Sequence, residues 1–311
     1  MQESYTHKPV LLSECIQSLH IIPHGVYLDG TLGRGGHSRE IAKLLTENGH
    51  LFCLDRDQTA LDEAKETLAP YLDRITFLHG NFADLDQILK DFPPFDGMLF
   101  DLGVSSPQID DPDRGFSYRA DAPLDMRMDQ RDTLTAYDIV NHWSRDEIRR
   151  ILYQYGEERY AGSIAAAIDR KRQICEIKTT LQLVDIIRSA MPSAALREKQ
   201  HPAKRSFQGI RIAVNDELSA IRDMMCAAIP KLAVGGRLAV ISFHSLEDRI
   251  VKTEFVAAAT GCTCPPEFPV CICGKKPVMK LLKRKPILPS AEEQLENPRA
   301  RSAKLRVGEK L

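Results

Sequence analysis

The sequence predicts an α/β fold, a Rossmann-like, mostly parallel sheet interrupted by an inserted helical domain. Three observations predict it. Four short apolar runs alternate with helical segments between Val26 and Asp101. Strand character then fades from about Ser105 to Asn215, where helical spacing and charge take over. It returns at Gly235–Phe243, a glycine turn entering a β-branched apolar run. Strands separated by helices read as a parallel sheet with crossover helices.

The elements follow in order. Val26–Asp29, His50–Asp55 and Phe95–Asp101, the first, second and fourth strands, are apolar runs that each end in a carboxylate, and Ile75–Leu78 is the third. Ser38–Leu45, Thr59–Leu68 and Asp84–Leu89 carry apolar residues at helical spacing between them. Asp110–Arg131 is polar and aspartate-rich, which predicts loop, and Ser144–Tyr155, Ala161–Ile174 and Thr180–Met191 predict helices. Glu217–Leu232 predicts the helix that leads back into the sheet, and a tail follows Lys252. The economical division is a discontinuous cofactor-binding domain of residues 1–108 and 214–311 around a helical, substrate-recognising insertion of residues 109–213.

Composition narrows the class. With 43% hydrophobic residues the chain has ample material for a core, and its formal net charge of −1 implies no polyanionic partner by itself. No apolar run is long enough to span a bilayer, and Met1–Leu12 lacks the apolar core of a secretory signal, so a cytoplasmic protein with no membrane partner is expected. Cys15, Cys53, Cys175 and Cys226 stand singly and read as small buried hydrophobes.

Ligands of an open parallel sheet lie beyond the carboxyl ends of its strands, where the strand order reverses. There the turn Asp29-Gly30-Thr31-Leu32-Gly33-Arg34-Gly35-Gly36-His37 allows close backbone approach, and Asp55 follows at a spacing suited to ribose hydroxyls. The third glycine of the dinucleotide fingerprint is absent, and so is a Walker lysine. A cofactor with a ribose but no pyrophosphate fits, and S-adenosylmethionine is the common one. Phe82 has two readings, a cover for adenine or an ordinary core phenylalanine.

Seven segments together resemble the bacterial MraW/RsmH family. They are Asp29–Ser38, Asp101–Gln108, Leu124–Asp129, Tyr155–Arg159, His201–Ala203 with Arg205, Phe207, Gln208 and Arg211, Ser242–Arg249, and Glu296–Ser302. They run in order over almost the whole chain. The resemblance implies a class I methyltransferase sheet and methylation of the exocyclic N4 of a decoding-centre cytosine in 16S ribosomal RNA, within the small ribosomal subunit. It implies cofactor contacts from Gly35, Gly36, His37, Asp55, Phe82, Asp101 and Gln108.

A cytosine amine is a poor nucleophile, so the enzyme must align it with the methyl group and accept hydrogen bonds from its N–H groups. Amino-group methyltransferases commonly place prolines and an aromatic after the acid that ends the fourth strand, where this chain has Leu102-Gly103-Val104. Asp101, or a nearby backbone carbonyl, is the expected acceptor and Asp101 the catalytic candidate. The amine proton becomes acidic after transfer and can leave to water, so His244 is not required as a base. An unstacked base needs an aromatic partner, from among Phe243, His244, Phe116, Tyr118 and Phe207.

Two features of the tail stand apart. Lys275, Lys276, Lys280, Lys283, Arg284 and Lys285 form a basic run without an acid, followed by Arg299, Arg301, Lys304 and Arg306. These, with Lys204, Arg205 and Arg211 of the insertion, are expected to meet RNA phosphates. Cys262, Cys264, Cys271 and Cys273 are close enough in sequence to hold a structural zinc, although one residue between paired cysteines is fewer than a usual zinc knuckle has, and disulfide pairing and free thiols are open as well. Two other functions fit the same motifs: N4 methylation of DNA or another RNA, and a ribosome assembly factor without turnover.

Overall fold

The computed structural model describes residues 9–265, 270 and 272–311. Its sheet has seven strands: β1 (Val26–Asp29), β2 (His50–Asp55), β3 (Ile75–His79), β4 (Phe95–Asp101), β5 (Leu232–Ser242), β6 (Met279–Leu281) and β7 (Lys304–Lys310). Their order is β3-β2-β1-β4-β5-β7-β6. The pairs among β1 to β5 are all parallel, and β7 runs antiparallel to both β5 and β6. The chain moves outward through β1, β2 and β3, then returns to the other side of β1 with β4. This reversal puts the switch point between β1 and β4.

Alternation along each strand divides the apolar residues between two cores. Tyr27, Leu51, Cys53, Leu99, Ala239 and Ile241 join one buried cluster, with Leu305 and Val307 of β7. Leu28, Leu54, Met98, Phe100, Leu238 and Val240 join the other. The first is covered by helices α1 (Leu12–Leu19), α2 (Gly36–Leu44) and α3 (Gln58–Thr67), which contribute Leu19, Ile41 and Leu61. The second takes Leu85 from α4 (Leu85–Ile88).

The chain forms two compact units, residues 1–103 with 218–311 and residues 104–217. The units part at 103/104 and 217/218, each within two residues of a turn in positive-φ geometry, against the 108/109 and 213/214 expected from the sequence. Gly103 has φ +93° just past β4, and Asp216 has φ +44° just past a helix. The second unit holds α5 (Ser106–Asp110), α6 (Ala136–His142), α7 (Arg145–Gln154), α8 (Ala161–Arg172), α9 (Thr180–Ser189) and α10 (Lys204–Asn215) around a core that includes Ile148, Ile164, Leu183 and Ile210. Much of Asp110–Arg131 is irregular, as its composition predicts, yet it is tied down. Arg114 donates to the carbonyls of Arg127 and Met128 at 3.0 Å. Asn215 donates to Met126 O and accepts from Met128 N–H, both at 2.8 Å.

The remaining helices are α11 (Glu217–Lys231), α12 (Ser245–Ala259) and α13 (Ala291–Glu296). The tail after Lys252 therefore continues α12 and then completes the sheet. Among the described residues no helix is long and apolar enough to cross a membrane.

Candidate active site

The carboxyl ends of β1, β2 and β4 bring Asp29, Asp55 and Asp101 to the switch point. Each carboxylate has a different task. Asp29 is 1% exposed, accepting from Ser38 Oγ at 2.6 Å and Thr31 N–H at 3.2 Å. Burial pushes its carboxyl up to about 6, against the pull of those two donors. It shapes the glycine turn from beneath.

Asp55 accepts from Gly33 N–H and Asp57 N–H, both at 2.9 Å. Burial raises its carboxyl, while the two amides oppose the shift. Gly33 and Gly35 have φ of +51° and +75°, a left-handed geometry that costs other L-residues about 1–2 kcal/mol. Space around Gly33 is open, with no heavy atom within 4 Å of where a Cβ would sit. The turn thus presents bare backbone, and Gly35 caps the start of α2.

Asp101 is the exposed edge of the cluster. Its N–H donates to Thr31 Oγ1, which fixes the backbone. Its side chain is 26% exposed, yet Oδ1 is buried and has no hydrogen-bond partner among the described residues. Burial, with the charges of Asp29 and Glu247, holds the carboxyl well above the usual carboxylate range. His37 is buried beside it, with Nδ1 3.9 Å from Asp101 Oδ2. Burial lowers this imidazole to about 4. It is therefore neutral at pH 7, donates from Nε2 to Val10 O at 3.0 Å, and makes no ion pair with Asp101.

Glu247 of α12 completes the acidic wall. It is fully buried and accepts from Phe243 N–H at 2.7 Å and His244 N–H at 3.3 Å. Its reciprocal bond with His244 is a capping box, so the Ser242–Arg249 segment sets the start of α12. Phe243 is half-buried against the first sheet core. Arg56 offsets part of the charge at Asp55, and the four acids together suit a cation that carries hydroxyl donors.

The other unit is described separately. Gln108 is buried and accepts from Ser105 N–H at 3.0 Å as part of the cap on α5. Tyr118 stacks on His201, with centroids 4.4 Å apart, and meets Phe207 edge-on. Phe207 is only 3% exposed, which removes it as a stacking partner for a base. Phe116 and Tyr118 are partly buried against the same core.

Residues 4–311 match the MraW methylase family. Ribosomal RNA small subunit methyltransferase H of Brevibacillus brevis is 54% identical over 310 residues, which cover 99% of each chain. The chain belongs to the MraW methylase family. The proteins of the same name from Paenibacillus sp. and Heliobacterium modesticaldum are 52% and 51% identical, each over 99% of this chain and 100% and 99% of their own. The chain is a methyltransferase.

In this methylase the sequence-predicted Gly35, Gly36, His37, Asp55 and Asp101 lie at one end of the sheet. Phe82 sits just after β3, half-buried and edge-on to Phe100 at 6.1 Å, so it is part of the core as well as its rim. Sequence motifs contain Asp29, Thr31 and Glu247 but assign them no role. Their position at strand ends and at a helix cap was the available signal.

The basic residues divide. Arg211 pairs with Glu217 at 2.8 and 2.9 Å, and Arg306 and Lys304 pair with Asp248 at 2.7 and 3.0 Å. These three serve internal ion pairs, contrary to their expected use on RNA. Lys204 and the six basic residues from Lys275 to Lys285 are exposed. Cys15 and Cys53 are buried as expected, but Cys175 and Cys226 are exposed. Cys262, Cys264 and Cys273 gather within 4.8 Å, while Cys271 lies outside the described residues.

Proposed function

We propose that this methyltransferase transfers the methyl group of S-adenosylmethionine to the N4 amine of a decoding-centre cytosine in 16S ribosomal RNA. The curated relatives' name, with its small-subunit ribosomal RNA, supports the substrate. The observation that carries the chemistry is the buried, unpartnered Oδ1 of Asp101 at the rim of an acidic crevice.

The residues fit the cofactor. Asp55 retains lone pairs for ribose hydroxyls, and the open space over Gly33 admits a ligand close to the backbone. Asp29, Asp101 and Glu247 supply negative potential for a sulfonium and none for a pyrophosphate. Gly35, Gly36, His37, Asp55, Phe82 and Asp101 would hold it, and Gln108 joins them on the family resemblance. When bound, S-adenosylmethionine supplies a methyl group already activated on sulfur.

Asp101 then has two tasks. As a carboxylate it accepts a hydrogen bond from the cytosine amine, turning the nitrogen lone pair toward the methyl group. As nitrogen gains positive charge during bond formation, the same oxygen stabilises it more strongly than in the ground state. The departing N–H proton passes to Asp101 or to water. His37, neutral and hydrogen-bonded to Val10, keeps the wall behind Asp101 free of a competing cation.

The exposed Lys204, Lys275, Lys276, Lys280, Lys283, Arg284 and Lys285, with the half-buried Arg205, meet RNA phosphates in this reading. The test incubates the protein with methyl-labelled cofactor and, separately, small-subunit particles, naked 16S ribosomal RNA and DNA. Label on N4 of a cytosine in the particles or the ribosomal RNA is expected. Label on DNA alone would move the substrate, and binding to the particle without label would make the protein an assembly factor.

A further inference from the structure

Among the described residues between α12 and β6, the large apolar side chains are exposed. Val270, Ile272 and Val278 are 70%, 75% and 42% exposed. The base of this loop is closed by Val278 N–H donating to Ala258 O at 2.9 Å. Three cysteine sulfurs nonetheless converge within it. Those of Cys262, Cys264 and Cys273 all lie within 4.8 Å of one another, and the Cys262 and Cys273 sulfurs are 3.7 Å apart.

That spacing is informative. A disulfide would need about 2.05 Å. Two thiolates on one tetrahedral zinc, each with a Zn–S bond of about 2.3 Å, stand about 3.8 Å apart. The backbone is also arranged around the sulfurs. Cys264 N–H points to Cys262 Sγ at 3.4 Å. The sulfur of Cys264 receives N–H groups of Ile272 and Cys273, and that of Cys273 receives those of Lys275 and Thr263. Gly274, at φ +60°, makes the turn that follows Cys273. Three sulfurs gathered this closely form a set of soft donors sized for a single ion.

We propose that Cys262, Cys264 and Cys273 bind one thiophilic divalent ion of the zinc class, which closes the loop between α12 and β6. Soft sulfur donors select such an ion over magnesium or calcium. Binding releases the thiol protons to solvent, so occupancy falls in acid. The ion is structural: it ties together a loop whose described apolar side chains are exposed and anchors the start of the lysine-rich segment beginning at Lys275. The inference is independent of the methyl acceptor.

The test uses the full chain, purified under reductant without chelator or an affinity tag that binds metal. Elemental analysis should find about one zinc per chain. Cys262→Ser and Cys273→Ser should each lose it with unchanged circular dichroism, whereas Cys175→Ser and Cys226→Ser should keep it. Cobalt added to the metal-stripped protein should give a sulfur-to-cobalt charge-transfer band that Cys262→Ser lacks. Chelation should also speed proteolytic cleavage between residues 260 and 278. Metal-free protein whose thiols all react freely, a disulfide found by mass, or zinc retained by both loop variants would each overturn the proposal.

Discussion

Asp101 is held in a conflict that only a cationic ligand relieves. Buried beside Asp29 and Glu247, its carboxyl stays protonated to a higher pH than an ordinary aspartate. A protonated carboxyl can still donate, but it is a poor acceptor for an amine N–H. The single-turnover rate should therefore fall as pH drops through the raised value of Asp101, above the usual carboxylate range. Asp101→Ala should lose methyl transfer by about 100-fold or more, on the scale of removing one transition-state partner. Calorimetry of cofactor binding separates the two roles. A variant that binds the cofactor weakly but turns over normally at saturation would remove Asp101 from the chemistry.

Asp29 and His37 make a second residue-scale prediction, about stability. Asp29 rises from an unfolded value near 3.8 to about 6, so its contribution is full below the first value and lost as pH rises through the second. His37 falls from 6.5 to about 4, so its contribution is full above 6.5 and lost as pH falls through 4. Each is about 3 kcal/mol, and their windows overlap with opposite slopes. Urea denaturation between about pH 4 and 6 should show Asp29→Asn gaining stability as pH rises and His37→Asn losing it. Parallel profiles for the two variants would contradict the assignment.

At the scale of elements, the last strand is fastened by charge. Asp248 on α12 is 13% exposed and holds Arg306, 11% exposed, and Lys304 on β7. Burial alone would raise this carboxyl, but the two cations hold it below the usual range. Asp248→Ala strands a buried guanidinium and should cost about 3 kcal/mol. Adding Arg306→Met removes that stranded charge and should recover much of the loss in urea denaturation. If the double variant is no better than the single, Arg306 is not the source of the cost. The family segments behave similarly in the helical unit. Leu124–Asp129 is occupied by its contacts to Arg114 and Asn215, and Gln208 donates to Tyr155 O at 3.0 Å. Those segments preserve a fold as much as a reaction.

At the scale of the whole molecule, net charge conceals a division of labour. The chain carries −1 overall, while four acids line the cofactor crevice and six exposed cations lie within residues 275–285. Replacing Lys275, Lys276, Lys283 and Lys285 with Gln should weaken RNA binding and reduce the slope of log K against log salt by about 3. Cofactor affinity, measured in parallel, should stay unchanged because those lysines lie outside the crevice. An unaltered salt slope would remove this segment from the RNA interface.

Period and strand ends made the sheet legible. The first four strands and their acids were visible because apolar runs bounded by glycine turns have few other uses. β6 and β7 were not: β6 has three residues, β7 is interrupted by charge, and their antiparallel pairing to each other and to β5 depends on contacts distant in sequence. The same distance hid the sorting of charges. Arg211, Lys304 and Arg306 look like any exposed cation in a linear string, and only folding brings Glu217 and Asp248 to them. The sequence by itself determined the alternation of strands and helices, the glycine turn and the carboxylates that end β1, β2 and β4, because local pattern dictates these, whereas the strand order came from the fold. The tertiary structure decided which carboxylate is satisfied from below, which is left with a bare oxygen, and which cations remain for RNA. Burial and partnership depend on neighbours that only the fold supplies.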